Sequence, residues 1–327
     1  MSVVEGYVYH TYGPDRYVRD AVASVLTLRR HDTKRPVALY CPPSHQRTLQ
    51  QYGLDSYFQY IDDLPEENQS IIGFKHKLQN FSPFDRCLFV DSDMIWCRPL
   101  DPLWIQLSAF PFTATGLERS DFFFGGPKGA GVAIDYLLDR RRRTMKRFGL
   151  SYLPRIQAGM IYSQDPELSG EICDLASYFL SRRTDTHVRS RLNEGRSEET
   201  CEWSLAMAMS SLKLHVFPWF QGHNSPQLDF IEGLTDYDTD FENVTCKYYS
   251  NSFVYMLRGL TNHTLKKSLI QFFSALPGKG DYMNVTPFVL HFGWLHHKQP
   301  FRDFSARTWN TLTESNPESI PLSIQAE

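Results

Sequence analysis

The stretch Cys87-Leu-Phe-Val-Asp-Ser-Asp93 decides the reading of this chain. Its apolar run is short and flanked by charge, the pattern of a central strand buried on both faces. Asp91 and Asp93 follow that run directly, and in open α/β sheets ligands gather at the carboxyl ends of the strands. Two carboxylates two residues apart can grip one hard divalent cation, directly or through water. A cation there can bridge a diphosphate and neutralise charge as the diphosphate leaves. The plainer reading is that one Asp caps the next turn and the other is merely exposed. The placement after a buried strand favours the metal.

Working outward, residues 3–10 read as a first strand. From Pro14 to His31 two sets recur at i+4, Tyr17, Ala21, Val25 and Val18, Val22, Leu26, which predicts an amphipathic helix. Residues 37–41 form a second short apolar strand, and a helix opened by Ser44 and closed by Gly53 follows. A third strand is expected at 57–61. This rhythm predicts an α/β fold with a mixed, mostly parallel sheet flanked by helices. Later strands are expected at 112–116, 158–163 and 287–294, with helices over 166–180 and 198–211. Residues 222–285 are rich in aromatics, Asn and Asp, and read as an acceptor-side elaboration rather than an independent domain. The expected organisation is a single domain over 1–304 and a C-terminal tail over 305–327.

Bulk properties narrow the classes. The chain has 327 residues, 42% hydrophobic and 22% charged, with a net charge of -3. That is ordinary for a globular protein and gives no electrostatic case for nucleic acid. No stretch approaches the roughly 20 apolar residues needed to span a bilayer. Six cysteines without a zinc-site spacing read as reduced core thiols, and no signal peptide is evident, so a cytoplasmic location is expected.

A second candidate ligand is His291, in the segment LHFGWLHHKQPF that spans 290–301. Like Asp91 it ends an apolar run, and a neutral imidazole can complete the coordination of Mn or a similar metal. Lys298, with His296 or His297, stands close enough in sequence to reach phosphate oxygens. The alternative is a satisfied core histidine before an exposed loop. Gly125–Gly131 has no Gly-Lys followed by Ser or Thr, the mark of a phosphate loop, and reads as a mobile loop over the site. Arg140–Arg143 with Lys146 and Arg147 read as a solvated helix face, with an anionic acceptor as the alternative. Trp203, Phe217, Trp219 and Phe220 read as core in preference to a sugar platform.

Four segments together resemble family 8 of the glycosyltransferases, the glycogenin-like group of the GT-A fold. They are YVRDAVASVLTLRRH (17–31), KLQNFSPFDRCLFVDSDMIWCRPLDPLW (77–104), IQAGMIYS (156–163) and HFGWLHHKQPF (291–301), in the family's order. The resemblance implies a GT-A fold, a nucleotide-sugar donor with UDP as the nucleotide, Mn2+ or Mg2+, and transfer with retention. Asp91, Asp93 and His291 would hold the metal. Thr11 and Tyr12 would lie near the base, Lys77 near the ribose or diphosphate, Ser92 on the ribose, and Lys298 on the diphosphate. Gln157, Ala158 and Gly159 would stand by the transferred sugar. Glu202, or else Glu198 or Glu199, would contact the acceptor or the sugar cation. Departures are Gln157 in place of an Asn, Cys201 in place of the first of two acids, and an altered spacing between His291, Gly293 and Lys298. The acceptor stays open among a saccharide, a lipid-linked sugar, a protein and a small metabolite, as does a homo-oligomer.

Two rival functions remain. One is a catalytically inactive nucleotide-sugar-binding protein. The other is a phosphohydrolase or phosphotransferase with Asp91 as nucleophile. That motif normally opens its domain, whereas three βα units precede Asp91 here.

Overall fold

A computed structural model describes residues 3–118, 134, 137–248, 260, 262–275, 283–293 and 298–314. Its centre is a seven-stranded sheet of order β3-β2-β1-β4-β7-β6-β8. These strands are β1 Glu5–His10, β2 Val37–Cys41, β3 Tyr60–Asp63, β4 Arg86–Val90, β6 Phe112–Leu117, β7 Arg155–Ser163 and β8 Phe217–Pro218. Strands β3, β2, β1 and β4 run parallel, and β7 is antiparallel to both β4 and β6. The chain is therefore α/β with a mixed, mostly parallel sheet flanked by helices, as the rhythm of the sequence predicts. The third strand begins at Tyr60, because Asp55–Tyr57 first make a 3-10 turn.

Alternation along the central strands builds the core on both faces of the sheet. Tyr7, Tyr9, Leu88 and Val90 point to one side, where the helix α1 (Arg16–Arg29) packs with Trp96 and Trp104. Val8 and Phe89 point to the other, toward the helices α6 (Pro166–Ser181) and α7 (Glu202–Ser211). The hydroxyls of Tyr7 and Tyr9 are both paired: Trp104 Nε1 donates to Tyr7 at 2.8 Å, Tyr7 to Asp32 at 2.7 Å, and Trp96 Nε1 to Tyr9 at 2.9 Å. A Trp96→Ala change would empty the centre of this layer, at a cost of about 3–5 kcal/mol.

Helix α2 (Pro43–Gln51) starts one residue before Ser44, with Pro43 in the first turn, where its missing N–H costs nothing. Gly53 ends it with φ +63°. The remaining short helices before β7 are α3 (Ile71–Lys75), α4 (Asp101–Leu107) and α5 (Arg140–Arg147).

Two small sheets complete the described residues. In one, β5 (Met94–Trp96) pairs antiparallel with β13 (Val289–His291), and β13 pairs parallel with β9 (Gln227–Asp229). In the other, β10 (Thr235–Tyr237), β11 (Val244–Tyr248) and β12 (Met283–Val285) pair antiparallel, and helix α8 (His263–Ala275) lies between β11 and β12 in the chain. Segment 222–285 thus contributes a strand beside His291 as well as an excursion.

Residues 305–314, expected in the tail, belong to helix α9 (Gln299–Glu314). Phe301, Phe304, Ser305 and Trp309 recur at helical spacing and are buried. Trp309 packs edge-on against Tyr52, at 5.4 Å between centroids. Pro300 sits in the first turn, where proline is tolerated.

Candidate functional site

Strand pairing brings together the residues that the sequence separates most. Asp91 and Asp93 follow β4. The chain then enters β5 at Met94, whose partner across the antiparallel pair is His291. Phe292 N–H donates to the Asp93 carbonyl at 3.0 Å, and Asp91 N–H to that of Gly159 at 3.0 Å. His291 Nε2 consequently lies 3.5 Å from Asp93 Oδ1 and 3.8 Å from Asp91 Oδ2. One ligand atom from each of the three falls within 4.8 Å of the others.

Two lysines close the cluster. Lys75 Nζ donates to Asp91 Oδ1 at 2.6 Å and to the Ala158 carbonyl at 2.7 Å. Lys298 Nζ donates to Asp93 Oδ2 at 2.5 Å. Burial works against the charge on Asp93, yet Lys298 and His291 hold its carboxyl far below the usual range. Burial likewise disfavours an imidazolium at His291, but Asp93 and Asp229 outweigh it and raise the pKa to about 10. Both lysines are raised, by Asp91 and by Asp93 respectively, against the same burial. His10, at the end of β1, goes the other way. Burial and then Lys75 lower its pKa to about 3, and its ring stacks on Phe74 at 3.9 Å.

Beneath His291 lies a further hydrogen-bond network. Its Nδ1–H donates to Asp229 Oδ1 at 2.9 Å, and the Gln157 amide donates to the same oxygen at 2.7 Å. Gln157 Nε2 is also 2.8 Å from His291 Nδ1. Gln157 therefore supports the imidazole from below. Asp229 was missed because it stands in a three-residue strand inside an irregular segment. Its i+2 relation to Gln227, on the strand beside His291, is its only sequence signal.

The other candidates separate clearly. Lys77 is exposed, and Lys75, two residues earlier, makes the contact with Asp91. The helical turn of α3 directs Lys75 inward, and Lys77 lies beyond its end. Thr11 is buried, its hydroxyl 2.9 Å from His45 Nδ1, while His45 Nε2 bonds the Gly13 carbonyl. Tyr12 donates its hydroxyl to Glu198 at 2.9 Å, and Glu198 also accepts from Ile71 N–H at 2.8 Å. Glu199 accepts from Ser190 and from Arg191 N–H. Those two acids are tied into the fold. Glu202, at the first turn of α7, keeps a long 3.4 Å contact with Thr200 and adds to the field at Lys75. Ser92 is half-buried beside the carboxylates. Trp203, Phe217 and Trp219 are core. Residues 125–131, His296 and His297 lie outside the described residues.

The residues present fit a divalent ion. Two carboxylates and an imidazole suit Mn2+ well, and Mg2+ by its oxygens alone. Gly159 leaves the approach open. A Cβ there would come within 2.9 Å of Met94 Cε, 3.2 Å of His291 Nε2 and 3.3 Å of Gln227 Nε2. Gln227 is fully buried and, among the described residues, its Nε2 has no partner, a donor left beside Gly159.

No known protein family matches the chain by sequence, and no curated protein does. Solved structures do. The galactosyltransferase LgtC, crystallised with donor and acceptor sugar analogues, superposes with a TM-score of 0.51 at 12% identity, over 97% of this chain and 98% of that one. An active-site mutant of LgtC gives 0.50 at 13% identity, over 95% and 96%. The glycosyltransferase GlyE of Streptococcus pneumoniae gives 0.49 at 14% identity, over 99% of this chain and 66% of that one. The fold is that of the GT-A glycosyltransferases. Within it, this chain carries an Asp-Asp-His cluster able to hold a metal ion at the carboxyl end of β4.

Proposed function

We propose that the protein is a metal-dependent glycosyltransferase. Its donor is a nucleotide sugar, with UDP as the nucleotide and Mn2+ or Mg2+ as the ion, and it transfers with retention at the anomeric carbon. The observation that carries this reading is the convergence of Asp91, Asp93 and His291 over the bare backbone of Gly159, between the buried Lys75 and the half-buried Lys298. The family resemblance of those same segments and the glycosyltransferase fold support it.

A bound divalent ion would supply charge neutralisation to the departing diphosphate. The chain's own residues do the rest. Lys298 and Lys75 exchange part of their contact with the carboxylates for phosphate oxygens, preorganised donors where charge develops. The bond between the anomeric carbon and the diphosphate oxygen breaks with its electron pair going to that oxygen. The acceptor hydroxyl forms the new bond and gives up its proton to the departing diphosphate oxygen. Glu202 is the carboxylate left to face the acceptor or the sugar cation. Thr11 and Tyr12, just after β1, would border the base, and Ser92 the ribose. Gln157 acts through His291 instead of touching the sugar.

A thermal-shift series of nucleoside diphosphates and nucleotide sugars, with and without Mn2+, tests this. A ligand that binds only the folded state raises the midpoint by mass action. The expected result is a Mn2+-dependent rise with UDP or one UDP-sugar, absent in Asp93→Asn. No rise with any nucleotide would sink the proposal.

A further inference from the structure

A second surface of this molecule has an unusual composition. Over residues 137–147 and 178–199 there are eleven Arg or Lys against five Asp or Glu, in a chain whose net charge is -3. Three-dimensional packing makes these two segments one face. His187 N–H and Nδ1 meet Thr144 Oγ1 at 2.9 and 3.1 Å, Arg147 pairs with Asp185 at 3.1 Å, and Phe148 packs on Phe179. The acids are largely used up. Asp185 is shared by Arg147 and Arg182, while Glu198 and Glu199 turn inward to Tyr12 and to Ser190. Among the described residues, exposed Arg143, Lys146, Arg189 and Arg196 have no carboxylate partner.

Charge alone would suit any polyanion. The same face, however, also exposes large apolar side chains, which a solvated surface does not favour. Leu137 is 80% exposed and Leu138 40%, directly before the arginines of α5. Leu192 is 52% exposed between Arg191 and Arg196, and Tyr178 47% beside Arg182. Lysine and arginine interleaved with exposed leucine and tyrosine is the composition that sits at an anionic membrane surface, where heads meet lipid phosphates and aliphatic tips enter the acyl boundary.

We infer that the face formed by α5 and residues 178–196 docks on an anionic lipid bilayer. The face also leads to the candidate site. Residues 198–202 run from it past Tyr12 to Glu202, near Lys75 and Asp91. The inference rests on the proposed function only for its consequence, that the acceptor is met at a membrane. Docking itself needs no donor.

Vesicle co-sedimentation tests it, using phosphatidylcholine vesicles with and without phosphatidylglycerol, at low and physiological salt. The expected result is binding only to the anionic vesicles, weakened by salt. A variant carrying Arg143→Glu, Lys146→Glu, Arg189→Glu and Arg196→Glu should lose binding by two orders of magnitude or more, at about fivefold per charge removed. Leu137→Ser with Leu192→Ser should weaken vesicle binding several-fold and leave heparin binding unchanged. Equal binding to neutral vesicles, no effect of the charge reversals, or vesicle binding indifferent to the leucine changes would each overturn it, the last assigning the face to a soluble polyanion. Mn2+-dependent UDP binding, measured on the same variants and expected to be unchanged, reports separately on the proposed function.

Discussion

His291 and Asp229 face each other across the parallel pair β9–β13, with Nδ1–H donating to Oδ1 at 2.9 Å. That bond fixes which edge of the ring is presented. With Nδ1 bound from below, Nε2 is turned toward Asp91 and Asp93. Imidazole ligands commonly depend on such a partner, and its loss typically costs 10- to 100-fold in metal affinity. Asp229→Asn should therefore weaken Mn2+ binding by about that factor, read by the paramagnetic resonance signal of free Mn2+ without any nucleotide. A metal-free midpoint near the parent's would show that the fold survives. Unchanged Mn2+ affinity would reduce the pair to a packing contact.

Lys75 and Lys77 make opposite predictions. Lys75→Met removes the donor that Asp91 Oδ1 and the Ala158 carbonyl share, which should destabilise by about 2–4 kcal/mol and abolish nucleotide-diphosphate binding. Lys77→Met changes an exposed side chain and should leave both within error. Denaturant melts and UDP titrations on the two variants check this, and a loss confined to Lys77→Met would reverse the assignment.

Gly159→Ala introduces a methyl group between His291 Nε2 and Gln227 Nε2, the space that the proposed ion and donor would need. Met94, at 2.9 Å, has a flexible end and can give way, so the stability cost should stay near about 1–2 kcal/mol. The Mn2+-dependent midpoint shift should disappear. A retained shift would mean that ligands approach from another side.

Asp20, on α1, hydrogen-bonds Ser305 on α9, and burial raises its pKa to about 6. The folded protein therefore keeps a proton that the unfolded chain, at 3.8, has already released. Stability from this group is full below pH 4, is lost as pH rises through 6, and is constant above. Asp20→Asn should thus raise the midpoint at pH 7, by at most about 3 kcal/mol of stability, with the difference vanishing near pH 4. Equal profiles for variant and parent would place Asp20 in contact with water.

The sequence made parts of this plain and hid others for physical reasons. Asp91, Asp93 and His291 were legible because each ends or follows an apolar strand, the point where side chains of an α/β sheet leave the core. Lys77 was preferred to Lys75 because nothing in a linear string shows where the turn of α3 aims a side chain. Asp229 and Gln227 were invisible because strands of three residues have no periodicity to read, and their order comes from pairing with β13. Helix α9 was read in part as a tail because Phe301, Phe304 and Trp309, the residues that bury it, are set among polar ones.

The seven-stranded sheet is complete once β8 has been made, at Pro218. The third side chain of the ion cluster arrives only with β13, whose register against β5 spans most of the chain. Closing so long a loop is entropically unfavourable, and each contact that fastens it gains accordingly. A growing chain would thus possess its sheet well before it could retain a cation. On the proposed function, occupancy would be a late checkpoint of maturation, and the ion a clasp whose chelation would first release β13 and α9 to proteases.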